Sequence, residues 1–395
     1  MLHSQEKLTP EQKQMARRRR ILQGRAAQGI CILAAFAAIS LFAAGWLLLR
    51  QDRTFSDSEN RMLAQKPAPT LASLADGSFA GGIERWYADQ FPGRDLWITA
   101  DLTFQRALGV REMNGVYLGA DGYLLEAPAQ EDAAQLGQTE AAICAFAAQH
   151  PDIRLTAAIV PNAWGVLSEK LPAGAPVEDQ KALIDAIDQA MPDVRTANLT
   201  EALRSRRSEP LYYRTDHHWT SLGAYYAYCA WRGIEPNADE WTQEVLCDNF
   251  HGTTWNKVPL PSVPAEEITA WYKHANRHVA YNDGQYETDS IYERQYLSGN
   301  DQYAVFLNSN QAQTVISGSG QSGKLLLIKD SYGNTFSQFP VEDYAEVHVL
   351  DLRFFKGNVV EYAKENSITD ALVLYGTQNF VSDTALSAAV SAIKG

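Results

Sequence analysis

The apolar positions of this chain fall into two regimes. From Gly29 to Leu49 they run without a single charged residue, enough to cross a hydrocarbon core of about 30 Å as a helix. Beyond that run they come in blocks of two alternating periods. Helical spacing through Ile83, Trp86, Tyr87 and Phe91 predicts a helix within 79–108 that breaks at Pro92,. The stretch from Val116 to Leu125 places Asp121-Gly122 between β-prone runs and predicts a hairpin,. From about residue 133 helix and strand patterns alternate: helices over 133–149, 178–191 and 221–231, strands over 154–160, 195–199, 324–330, 345–350 and 371–375, and a closing helix over 382–393. Such alternation predicts an α/β fold, a parallel sheet with helices on both faces. Between about 236 and 322 the pattern lapses into a Tyr-, Asn- and Gly-rich stretch, expected to be an irregular insertion with β hairpins of the kind that shapes a substrate groove.

Charge adds a direction to the apolar run. Arg17 to Arg20 and Arg25 stand just before it, and the bias of cationic residues toward the cytoplasmic side predicts a cytoplasmic N-terminus with the C-terminal part outside. A cleaved signal peptide would have a shorter apolar region and a small-residue cleavage site. Here the run ends Trp46-Leu47-Leu48-Leu49-Arg50, so a retained single-pass anchor is expected. The implied organisation is a basic tail (1–28), a membrane helix (29–49), a stalk with Pro67 and Pro69 (50–78), and an extracytoplasmic domain (79–395). The whole chain carries a formal charge of −13, and residues 51–395 carry −19. A surface of that sign excludes nucleic acid and anionic lipid surfaces as partners. Of four cysteines, Cys31 lies in the membrane run. Cys144, Cys229 and Cys247 cannot all pair internally; a Cys229–Cys247 bridge is conceivable, and no spacing suggests zinc.

Two short segments carry chemistry. Asp216-His217-His218-Trp219 precedes a helix, and Ile328-Lys329-Asp330-Ser331-Tyr332-Gly333-Asn334 ends an apolar strand. Together they offer an attacking hydroxyl (Ser331), a base of ordinary pKa near 6.5 (His218) and a carboxylate to fix its tautomer (Asp216). In open α/β sheets ligands sit beyond the carboxyl ends of the strands, where Ser331 falls. The turn at Tyr332 and Asn334 would present free helical N–H groups to an oxyanion. Two-residue spacing should turn Asp216 and His218 to one side and His217 away, while Thr220 or Ser221 caps the following helix. Asp216, His217 and His218 as metal ligands is the weaker reading, because neighbouring residues rarely converge on one ion; no metal or cofactor is expected. Later loops supply Arg353 to orient a substrate or carboxylate and Asn379 or Gln378 to donate to an oxyanion. Trp219, Tyr332 and the tyrosines from Tyr281 to Tyr303 would suit stacking on sugar rings.

At these residues the chain resembles the family named for its Asp-His-His-Trp signature, which in turn is similar to the anchored or periplasmic proteins that O-acetylate exopolysaccharides such as alginate. The likeness runs through Ser58 to Arg61, Gly119 to Leu124, Pro161-Asn162, Asp216 to Trp219, Lys329 to Asn334 and Asp351 to Arg353. It implies an SGNH hydrolase-like (flavodoxin-like) fold with Asp216, His218 and Ser331 as a triad whose Asp-x-His pair precedes the serine. It implies further a serine acyltransferase or acylesterase acting on a cell-envelope or exported polysaccharide, or another hydroxyl-bearing polymer. Because acetyl-CoA is absent outside the membrane, an integral-membrane acyltransferase is the expected partner. The alternative is an SGNH-like scaffold that binds carbohydrate without turnover.

Overall fold

A computed structural model describes residues 10–391 except 57, 58, 60, 129 and 130. Ser58 and Asn60 of the stalk motif, and the last two residues of the expected closing helix, therefore lie outside the described residues. The chain forms two compact units, one built from residues up to Ser56 together with Arg61–Ile98, the other from Thr99 onward.

In the first unit a single helix, Pro10–Leu49, contains a stretch within Arg17–Leu47 long and apolar enough to cross a membrane. Its side chains are mostly exposed, as a lipid-facing helix requires,. The polar segment after it is tied to the helix Ser78–Gln90. The Trp86 indole donates to Asp52, and Asp89 accepts from both terminal nitrogens of Arg61, at 2.9 and 2.6 Å, and from the Ala64 amide. Pro92 ends that helix and a second begins at Arg94, as the sequence predicts,.

The second unit is built on one eight-stranded sheet. Its strands in chain order are β1 (Arg154–Val160), β2 (Arg195–Thr196), β3 (Val279–Tyr281), β4 (Tyr286–Thr288), β5 (Gln313–Ser317), β6 (Lys324–Lys329), β7 (Glu346–Leu350) and β8 (Asp370–Gly376). Their spatial order is β4-β3-β5-β7-β6-β8-β1-β2. The five strands from β7 to β2 are parallel, while β5, β3 and β4 join antiparallel. Both faces of the central parallel strands are buried. Along β6, Leu325 and Leu327 enter one core and Leu326 and Ile328 the other; along β8, Leu372 and Leu374 oppose Ala371, Val373 and Tyr375. The unbroken apolar runs of these strands express that two-sided burial.

Several boundaries differ from the sequence pattern. The expected strand over 195–199 is only two residues, because Asn198 caps a short helix, Leu199–Arg204, by accepting from the Glu201 amide,. The hairpin over 116–125 gains a third strand, Glu112–Met113, and its turn places Asp121 and Gly122 at positive φ, as a tight Asp-Gly turn demands. The insertion is not set apart from the sheet: β3, β4 and β5 extend it, and only Thr242–Phe250 with Glu266–Tyr272 forms a separate hairpin. The closing helix is two, Thr377–Ser382 and Thr384–Ser391. All four cysteines are free, so Cys229 and Cys247 are not bridged.

Candidate active site

Ser331 follows β6 at the carboxyl edge of the sheet and stands at the N-cap position of the one-turn helix Tyr332–Phe336. It makes no side-chain cap bond there. Its Oγ instead lies 2.7 Å from His218 Nε2. Strand β6 ends at the centre of the sheet, so the backbone around Ser331 is buried while the residue itself stays half-exposed. An accessible hydroxyl on a fixed support is what a nucleophile requires.

The imidazole is held from three sides. His218 Nδ1 lies 2.5 Å from Asp216 Oδ1, and that same oxygen accepts the His218 amide at 2.9 Å. A proton on Nδ1 donates to the carboxylate and leaves Nε2 to accept from Ser331. The ring of Tyr303 stacks on the imidazole, centroids 4.0 Å apart and planes inclined by 7°. Tyr303 in turn donates toward the Ser331 carbonyl at 3.3 Å and shares a 2.5 Å bond with Thr335.

Asp216 is fully enclosed, and its second oxygen accepts from Thr253 twice, from the amide at 2.7 Å and from Oγ1 at 3.0 Å. Gly252 makes that approach possible, since a Cβ there would come within 2.2 Å of the Asp216 Cβ,. Burial works against the Asp216 charge, yet the adjacent His218 and His217 and these donors hold its carboxyl far below the usual carboxylate range,. Burial and the neighbouring His217 draw the His218 imidazole below its ordinary range, against the opposing pull of Asp216,. The result is an ionised carboxylate and a neutral base near pH 7.

Two reciprocal bonds fasten the remote segments together. Trp219 Nε1 donates to the Tyr332 carbonyl at 3.1 Å, and Tyr332 Oη donates to the His217 carbonyl at 2.5 Å. Both rings are buried, which corrects the expectation that they stack on a ligand. Among the tyrosines from Tyr281 to Tyr303, Tyr281 and Tyr292 are core residues and Tyr303 faces the imidazole. His217 does not turn away: its Nδ1 lies 2.8 Å from Thr253 Oγ1 and 3.7 Å from Asp216 Oδ1. The following helix starts at Ser221 with Thr220 as its cap, as expected.

The later loops reach the same sheet edge, but their polar groups are engaged there. Asp330 is fully buried; one carboxylate oxygen accepts from the Tyr332 amide at 3.0 Å, the other from the Gly376 amide and Asn379 Nδ2, both at 2.8 Å. Asn379 thus supports the residue preceding Ser331, and Gln378 Nε2 donates to the Ala127 carbonyl at 3.2 Å. A buried carboxylate needs such donors, which explains why Asn379 is drawn to Asp330 rather than committed to an oxyanion,. The amides of Tyr332, Gly333 and Asn334 are also bound, so among the described residues the Ser331 amide is the donor left open in this turn. Arg353 grips Asp351 through Nε at 2.8 Å and NH2 at 2.5 Å, and Lys329 Nζ approaches the same carboxylate at 3.2 Å. Asn334 Nδ2 donates to Asn310, 3.1 Å away.

As a metal site, Asp216, His217 and His218 bring ligand atoms within 4.8 Å of one another. In this structure both carboxylate oxygens, both His218 nitrogens and His217 Nδ1 are engaged by Thr253, Ser331 and one another.

Thr253 and Gly252, which support the carboxylate, were not legible in the sequence, and Tyr303, expected to suit stacking on a sugar ring, stacks on the imidazole instead. All three lie in the irregular insertion, where no period marks them.

The fold is of the SGNH hydrolase-like α/β class. Residues 116–231 match the family described as SGNH hydrolase-like domain, acetyltransferase AlgX, and residues 175–350 match the family described as DHHW protein. A DHHW family protein from Eubacterium siraeum superposes with a TM-score of 0.61 at 23% identity, covering 71% of this chain and 96% of its own. Bacillus cereus PatB1 superposes at 0.58 and 21% identity, covering 67% and 97%, and its form carrying a sulfonyl adduct at 0.57 and 20%, covering 68% and 98%. No curated protein sequence matches the chain.

Proposed function

We propose that the chain is a membrane-anchored, extracytoplasmic serine acyltransferase or acylesterase that acts on a cell-envelope or exported polysaccharide by O-acetylation chemistry. The observation that carries this reading is the continuous relay from Asp216 through both nitrogens of His218 to an accessible Ser331. The acetyltransferase named in one matching family description adds support. The arginines before the apolar helix support a cytoplasmic N-terminus, with the sheet domain outside,.

In the first half-reaction Ser331 Oγ attacks the acyl carbon of a donor ester while its proton passes to His218 Nε2. The ester C–O bond then breaks, and the leaving oxygen takes that proton from His218. In the second, an acceptor hydroxyl gives its proton to His218 and attacks the acyl-serine, and Ser331 Oγ recovers the proton as it leaves. Water in place of the acceptor gives hydrolysis. Asp216 stays ionised throughout and stabilises the imidazolium formed in each half-reaction. The Ser331 amide would donate to the oxyanion. An integral-membrane acyltransferase would supply the acyl donor on the outer face.

Hydrolysis of para-nitrophenyl acetate by the full-length protein, and labelling of Ser331 by an aryl sulfonyl fluoride, test this. Ser331→Ala should lower the hydrolytic rate by about four to six orders of magnitude. Equal product release by both forms, with no label on Ser331, would leave a carbohydrate-binding scaffold as the reading.

A further inference from the structure

The carboxyl edge of the sheet holds a second feature beside Ser331. Two strands along from β6, past β8, strand β1 ends and leads into the segment that carries Trp164. Strands about 4.8 Å apart put this place roughly 10 Å from the Ser331 strand. A cavity of about 340 Å³ opens there.

Trp164, 5% exposed, forms one side of the cavity, and its Nε1 has no acceptor among the described residues. Pro128 and Pro176 add two further flat apolar surfaces. Gln180 is locked to Asn162 by a pair of bonds, 2.8 Å from the Asn162 amide and 2.7 Å to its side chain. Gly165 lets Gln180 lie close, since a Cβ there would meet Gln180 Oε1 at 2.1 Å. The cavity is tied to the candidate active site through two of its lining residues, Thr377 and Gln378, which lie between Gly376 and Asn379, the residues that hold the Asp330 carboxylate next to Ser331.

Its charge is one-sided. Glu131 and Glu178 line the cavity, neither has a hydrogen bond or ion pair among the described residues, and no Lys, Arg or His lines it. The pyrrolidine rings suit the apolar face of a sugar, the indole N–H left without an acceptor among the described residues suits one of its hydroxyls, and carboxylates without cations suit an ammonium group and repel a carboxylate ligand,.

We infer that this cavity is an acceptor subsite for an amine-bearing sugar unit of the polymer, next to the unit whose hydroxyl reaches Ser331. The inference rests on the acyl-transfer reading for its role but not for the binding itself. It makes the acceptor a polysaccharide with free amino groups and excludes a polyuronate.

Binding to the full-length protein at low ionic strength tests it, with fluorescently labelled β-linked glucosamine oligomers, their fully N-acetylated counterparts and uronate oligomers as probes. The glucosamine oligomer should bind at least tenfold tighter than either of the others. The double substitution Glu131→Gln with Glu178→Gln should reduce it to the affinity of the N-acetylated oligomer. That change removes two of the 45 acidic residues beyond position 50, so general attraction to the acidic surface would survive it. Equal binding of the uronate or N-acetylated oligomer, or an unchanged double variant, would overturn the inference. Ser331→Ala, assayed alongside for ester hydrolysis, reports on the acyl-transfer reading separately.

Discussion

Two charged clusters sit at neighbouring strand ends of one sheet and differ in what lies at their open side. In the first, Asp216 and His218 end on a half-exposed hydroxyl. In the second, a fully enclosed Asp351 sits between Lys329, itself 1% exposed, and the guanidinium of Arg353. Both hold an ionised carboxylate against its burial cost. Burial disfavours the Asp351 charge, but Arg353 and Lys329 keep its carboxyl below the usual range, and burial draws the Lys329 ammonium down,. Only the first cluster has a member that can pass a proton near neutral pH and a neighbour able to attack. A buried charge network becomes a candidate catalytic device when it ends on a titratable base and an accessible hydroxyl; when it closes on permanent cations it supports the fold.

That contrast can be broken by experiment. Asp216→Asn should lower kcat for ester hydrolysis by about 10³- to 10⁴-fold, because an amide in place of the carboxylate favours the wrong His218 tautomer; a loss under tenfold would put the two clusters in one class. Asp351→Asn leaves Lys329 buried without a carboxylate and should lower unfolding free energy in urea titration by about 3–5 kcal/mol, while kcat of the folded fraction stays within a few-fold.

Thr253→Ala removes a hydroxyl donor from Asp216 but keeps the backbone donor, and should lower kcat by about tenfold,. The smallest effect concerns pH. Because the folded His218 titrates below its ordinary value, kcat/KM should lose activity only as pH falls beneath about 6.5, where the base takes up its proton,. His217 is one cause of that depression, so His217→Gln should move the acid limb upward while activity at pH 8 changes little. A limb that stays in place would remove His217 from the electrostatics of the site.

Much of this was legible in the sequence because it depends on local patterns. Unbroken apolar runs announced the parallel strands, since strands buried on both faces carry no polar side,. The charge-free run from Gly29 to Leu49 marked, through length and composition, a helix long and apolar enough to cross a membrane,. Asp216, His218 and Ser331 could be picked out because an Asp-x-His pair and a serine at a strand end are short-range signals, and the Thr220 cap behaved as its type predicts.

Other features were decided by packing between residues far apart in the chain. Trp219 and Tyr332 were expected to suit stacking on sugar rings, yet they form the buried clasp joining segments separated by more than a hundred residues. Asn379 was drawn to Asp330 because a buried carboxylate must find donors wherever the fold brings them,. Thr253 and Tyr303 came to the triad from an insertion without periodicity. Sequence alone thus determined which groups were present and on which elements; the tertiary structure chose their partners, because hydrogen bonding and burial are settled by proximity in space and a linear pattern records only proximity along the chain.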